Sequence, residues 1–268
     1  MTTKKISFKN RRGQRIVGLL TIPKGTPPFP AVIVCHGFKG YKEQLHLKTL
    51  AQEISRRGFV VLRFDFTSGV GESDGLLEDI KFSDELEDLR SAIDYLSNSV
   101  RIVDKRRIGL AGHSLGGQLI FHYASSDNRV KALAGLAGSY IRGRGMTGLE
   151  RQAAEQIAGN KKTSHFYTTS KRTGKKFKIK IGFYYDLLKH DTLKAASEIT
   201  IPALLLHGTK DSTVRIDSSK KVYRLVRGEK RLVLVPGAPH TWRGKSDPGH
   251  KYQRIINPIV ADWFQKYV

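Results

Sequence analysis

Three residues with complementary chemistry stand far apart in this chain, each directly after a short apolar run. Ser114 lies in Gly112-His113-Ser114-Leu115-Gly116, preceded by Ile108-Gly109-Leu110-Ala111 and followed by Gly117-Gln118-Leu119-Ile120, which reads as the start of a helix. Strand, tight turn, helix is the setting in which a G-x-S-x-G pattern lifts a serine hydroxyl above the edge of a sheet. Gly112, Gly116 and Gly117 leave room where a Cβ would strike the neighbouring strand or helix. Without that setting the same five residues would be an ordinary glycine-rich turn. Asp211 follows Ile201-Pro202-Ala203-Leu204-Leu205-Leu206-His207, and His240 follows Arg231-Leu232-Val233-Leu234-Val235. All three therefore fall past the carboxyl ends of apolar strands, where open α/β sheets place their ligands.

These types suit one reaction. A serine hydroxyl is a weak nucleophile until a base takes its proton, and imidazole suits that task near neutral pH. A carboxylate on the other ring nitrogen fixes the tautomer and stabilises the imidazolium. The strand before the acid, Val130 to Ser139, carries no Asp or Glu. Asp211 is therefore the expected orienter, with Asp217, further into the next helix, as the alternative. A tetrahedral intermediate also needs backbone N–H donors, each worth about 3–4 kcal/mol in the transition state. Leu115 should supply one. Phe38 should supply the other, after the strand Ala31-Val32-Ile33-Val34-Cys35 and the tight turn His36-Gly37, and its ring should line the acyl or alcohol pocket. No metal and no cofactor is called for. Of the remaining histidines, His36 and His207 are expected to satisfy backbone groups at strand ends. His113 occupies the variable position of the elbow and is a candidate for the pocket wall. His46, His122, His165, His190 and His250 read as surface or partly buried positions.

With the elbow and Val61-Leu62-Arg63-Phe64-Asp65-Phe66-Thr67-Ser68-Gly69-Val70-Gly71-Glu72-Ser73-Asp74-Gly75 on view, the chain resembles an α/β-hydrolase. More narrowly it is similar to the small serine esterases of the feruloyl and cinnamoyl esterase and serine aminopeptidase-like group. That group usually has R-F-D-F followed by a shorter G-x-G-x-S-D-G turn; here Thr67-Ser68 precede Gly69, so a longer or differently shaped loop is expected. The resemblance implies Ser114, Asp211 and His240 as a catalytic triad, with the Phe38 and Leu115 N–H groups as the oxyanion hole. It implies hydrolysis of carboxylic esters through an acyl-enzyme, on short-chain or aromatic acyl groups. Peptidase, thioesterase and perhydrolase chemistry would use the same apparatus.

Positioning these residues requires an alternating chain. Strands are expected near 31–35, 59–65, 107–112, 130–136, 201–207 and 231–235, and helices near 45–57, 83–97, 115–125, 217–226 and 251–266, after an opening hairpin turning at Asn10-Arg11-Arg12-Gly13. The alternation gives an α/β fold, a mostly parallel sheet with helices on both faces. Pro258 should begin or kink the last helix. Residues 139–198 join two strands over more chain than a crossover needs, so they are expected to form an inserted cap, or lid, on a core made of 1–138 and 199–268. Within it, 163–170 and 175–181 read as a hairpin, and Phe183, Tyr184, Tyr185 and Leu187 could roof a pocket. The chain has 268 residues, 39% of them hydrophobic, a single cysteine (Cys35) and a formal charge of +23. One cysteine excludes an internal disulfide, and its apolar strand points to a buried, inert thiol. The amino terminus has no apolar leader region, so a cytoplasmic location is expected. Lys161, Lys162, Lys171, Arg172, Lys175, Lys176, Lys178 and Lys180 concentrate basic charge on the cap. A solvated face, nonspecific contact with polyanions and steering of acidic substrates are the three readings of that charge. A basic polyanion-binding protein on a hydrolase fold is the non-enzyme alternative. Composition leaves oligomeric state open, a homodimer included.

Overall fold

The computed structural model describes residues 1–140, 154, 155, 158, 159, 164–169, 174–243 and 250–268. The chain opens with β1 (Thr2–Lys9) and β2 (Arg15–Ile22), an antiparallel hairpin whose turn is closed by Gly13 N–H donating to Asn10 O. Strands and helices then alternate: β3 (Phe29–Cys35), α1 (Leu45–Arg56), β4 (Val60–Phe64), α2 (Phe82–Ser99), β5 (Val103–His113), α3 (Leu115–Ala124) and β6 (Val130–Leu136). Between β6 and the next strand of the main sheet come β7 (His165–Thr169), β8 (Lys176–Lys180), α4 (Gly182–Leu188) and α5 (Thr192–Glu198). Alternation resumes with β9 (Ala203–Gly208), α6 (Ile216–Leu225), β10 (Lys230–Val235) and α7 (Lys251–Tyr267).

Eight strands form one sheet in the order β1-β2-β4-β3-β5-β6-β9-β10, parallel from β4 to β10. Strand alternation divides the core into two layers. Ala31, Ile33 and Cys35 join the layer under α2, α3 and α6, whereas Val32 and Val34 join the layer under α1 and α7. Burial on both faces is why the central strands read as continuous apolar runs. Helix α1 turns Leu47, Leu50, Ala51 and Ile54 inward at the 3.6-residue period. Short α5 is started by Asp191, whose carboxylate accepts from Leu193 N–H and Lys194 N–H.

β6 and β9 are sheet neighbours although a long stretch of chain separates them in sequence. β7 and β8 pair antiparallel, with Phe166 and Ile179 fully buried against the core. Tyr167, Lys176, Lys178 and Lys180 take the outward positions. Lys161, Lys162, Lys171 and Arg172 lie outside the described residues. Of the two expectations for Pro258, a helix start is excluded: α7 starts at Lys251, where expected, and the proline lies inside it. The burial of Ile256, Val260, Ala261 and Phe264 around it offsets the missing backbone donor. Among the described residues, no helix is long and apolar enough to cross a membrane.

Candidate active site

The turn from β5 into α3 holds Ser114 at φ 57° and ψ −118°, a conformation L-residues rarely adopt. Its N–H donates to Leu136 O on β6 at 3.0 Å, which pins the turn to the sheet. A Cβ at Gly112 would stand 2.2 Å from Gly116 O, so only glycine lets strand and helix approach this closely. Gly37 touches the same turn. A Cβ there would lie 2.8 Å from the Ser114 Cβ and 3.4 Å from its Oγ. Phe38, next in sequence, and Leu115, next after Ser114, thus flank the hydroxyl.

Asp211 and His240 arrive on two loops that are knitted together. Lys210 N–H donates to Ala238 O at 3.0 Å, and Gly237 N–H donates to Thr209 Oγ1 at 2.8 Å. The result is a continuous chain: Ser114 Oγ lies 3.0 Å from His240 Nε2, and His240 Nδ1 lies 2.7 Å from Asp211 Oδ2. Asp211 Oδ1 also accepts from Thr213 N–H and Val214 N–H at 2.8 and 2.9 Å. Burial would raise the Asp211 pKa, but hydrogen bonds from His207 and His240 outweigh it and hold the carboxyl well below the usual range. Asp211 is therefore a carboxylate. With one acceptor facing His240 Nδ1, that nitrogen carries the proton and Nε2 is left to take one from Ser114. Asp217 stands apart, exposed in the first turn of α6 and paired with Arg215 at 3.1 Å.

The loop from β3 that carries Gly37 and Phe38 is braced from behind. His36 Nε2 accepts from Phe66 N–H at 3.2 Å, so its Nδ1–H donates to Gly37 O at 3.0 Å. Burial lowers the His36 pKa and keeps the ring neutral for this role. Asp65 accepts from Lys42 N–H, Lys42 Nζ and Glu72 N–H at 2.6, 2.8 and 2.9 Å, and Arg63 donates to Lys42 O at 2.6 Å. Thr67, part of the extra length in the loop after β4, is held by Asp88, which accepts from its N–H and its hydroxyl at 2.7 Å each.

Burial places several of the remaining residues. His113 is buried, 5% exposed, and its Nε2 lies 2.8 Å from the His240 carbonyl oxygen. His46, read as a surface or partly buried position, is buried against the His113 ring, with centroids 4.6 Å apart. Of the cap aromatics, Tyr185 is half exposed and Tyr184 partly buried; Phe183 is the one that stacks on Phe38, at 5.4 Å and 16°. Cys35 is fully buried, as its apolar strand suggested. His207 contacts Asp211 as well as backbone, a partnership the sequence did not reveal. Among the described residues, no group of three or more His, Cys, Asp or Glu is placed to hold a metal ion.

A parallel sheet wound with helices on both faces, with this constellation at its carboxyl edge, defines an α/β-hydrolase. The chain belongs to the serine aminopeptidase S33 family, whose model matches residues 26–244. Esterase EstD of Thermotoga maritima is 27% identical over 93% of this chain and 65% of its own length. The mitochondrial palmitoyl-protein thioesterase ABHD10 of Bos taurus is 28% identical over 81% of this chain and 69% of its own. Among solved structures, Est1E of Butyrivibrio proteoclasticus with bound ferulic acid superposes with a TM-score of 0.79 at 21% identity, over 97% of this chain and 98% of that one.

Proposed function

We propose that this hydrolase is a serine carboxylic ester hydrolase acting through an acyl-enzyme on Ser114. The observation that carries the reading is the unbroken hydrogen-bond chain from Ser114 Oγ through His240 to the Asp211 carboxylate. Ser114 attacks the ester carbonyl while His240 Nε2 takes its proton. His240 then returns that proton to the departing alkoxide, and Asp211 stabilises the imidazolium in between. The Phe38 and Leu115 N–H groups hold the oxyanion. Water, deprotonated by His240, releases the acid. The stacked Phe38 and Phe183 rings beside Gly37 support an aromatic or short acyl group, and residues 139–198 are the cap that would shape its pocket.

Ser114→Ala is expected to fold normally and to lose about a thousandfold or more in kcat on p-nitrophenyl and feruloyl esters. A fluorophosphonate should label Ser114 alone, as read by peptide mass spectrometry. Retained turnover in the alanine variant would remove this mechanism. Running acyl thioesters and aminoacyl anilides beside the esters assigns the leaving group: preference for either over esters moves the protein to thioesterase or peptidase chemistry.

A further inference from the structure

The expected acid of the site is itself held by a group with no part in the mechanism above. Asp211 sits in the turn between β9 and α6; β9 sends the buried His207 side chain to it, and α6 sends Ser219 to His207. His207, near the end of β9, and Ser219, in α6, are both fully buried. His207 Nε2 faces two acceptors, Val214 O at 3.0 Å and Asp211 Oδ2 at 3.2 Å, so this nitrogen carries the proton. His207 Nδ1 lies 2.7 Å from Ser219 Oγ and accepts its hydroxyl proton. A hydroxyl on a helix thereby fixes the tautomer of a ring on a strand, and the ring donates to the oxygen that also receives His240 Nδ1–H.

We propose that His207, set by Ser219, is the positioning residue that aims Asp211 Oδ2 at His240. Backbone N–H groups fix Oδ1, but a carboxylate held by one oxygen can still swing the other. The His207 N–H stops that swing from inside the fold, on a strand and a helix instead of a mobile loop.

This inference rests on the proposed ester hydrolase reading, and its test separates the two. His207→Leu is expected to lower kcat about 10–100-fold with KM nearly unchanged. The acid limb of the kcat/KM profile should move to higher pH, because Asp211 Oδ2 then bonds to His240 alone. His207→Gln places an amide N–H where Nε2 stood and should restore most of kcat and the original limb. Ser219→Ala frees the ring to take the other tautomer and should give a smaller fall of the same kind. A folded His207→Leu with wild-type kcat and acid limb overturns the inference, as does a glutamine variant no better than leucine. Should the leucine variant fail to fold, Ser219→Ala decides, and an unchanged kcat and limb in it overturn the inference. Fluorophosphonate labelling is run on every variant: wild type labelled at Ser114 with unaffected His207 and Ser219 variants sinks only this inference. Absent labelling with turnover surviving in Ser114→Ala sinks the underlying reading.

Discussion

At the scale of single residues, the geometry around His240 makes His113 a test of how the base is held. Burial, then its neighbours His46 and His240, hold the His113 pKa well below the ordinary imidazole value, so the ring is neutral and its Nε2–H can donate to His240 O. His113→Phe keeps the bulk and removes the donor, leaving a part-buried carbonyl without its partner, at a cost of about 1–3 kcal/mol. The expected outcome is a modestly lower denaturation midpoint and about tenfold lower kcat/KM, from a looser His240; equal kinetics would show that the loop holds His240 without this bond. Ser114, Asp211 and His240 were legible because each follows an apolar strand, and strand ends are local patterns. The bond made by His113 was not legible, because the middle position of an elbow accepts many residues and its partner is a backbone carbonyl 127 positions away. Phe183, Tyr184 and Tyr185 pose the same difficulty. Successive helix residues differ by about 100° in direction, so the phase of α4 is set by its packing and not by its composition.

At the scale of elements, the loop presenting Phe38 depends on a buried ion pair between two loops. Lys42 and Asp65 are both almost wholly buried, 2.8 Å apart, and the exposed Glu72 carboxylate adds a second contact to the ammonium. Burial opposes the charged form of Lys42, but its bonds to Asp65 and Glu72 outweigh this and raise its pKa. Asp65→Ala leaves that ammonium with one exposed partner, removing two hydrogen bonds from the Phe38 loop and a third from Glu72 N–H. A loss of about 3–5 kcal/mol in urea unfolding is expected, with a fall in kcat larger than any change in KM if, as proposed, the N–H of Phe38 holds the oxyanion. A loss in KM alone would place the loop in substrate binding instead. The R-F-D-F strand was visible in the sequence, but the task of Asp65 was not, because its partner lies on a different loop. The β7–β8 hairpin shows the same division. Alternating residues revealed its strands; its docking, through Lys39 Nζ donating to Thr168 Oγ1 at 3.1 Å and Thr169 O at 3.3 Å, is a long-range contact. Lys39 makes those bonds from a backbone φ of 58°, beside the loop that carries Phe38.

At the scale of the whole molecule, the +23 charge and the buried titratable groups act on stability in separable ways. Glu85, in the first turn of α2, is only 3% exposed. Burial, then the nearby Asp88 and Asp84 carboxylates, push its pKa well above the ordinary value. The fold thus keeps a proton that the unfolded chain releases above about pH 4.3, so the contribution of Glu85 is complete below that pH and is lost as pH rises toward the folded value. Buried His46 and His113 have the opposite sign. Burial lowers both, His46 to about 3, so the unfolded chain takes up protons that the fold refuses. Their contribution is present above about pH 6.5 and lost as pH falls below it. Glu85→Gln removes only the first of these slopes. It is expected to raise the melting temperature at pH 8, by about 2–4 °C for each kcal/mol recovered, and to match wild type near pH 4. Scanning calorimetry across that range checks both ends. A glutamine variant that melts lower at pH 8 would mean that Glu85 is ionised and held by a partner inside the fold, which would reverse the sign argued here.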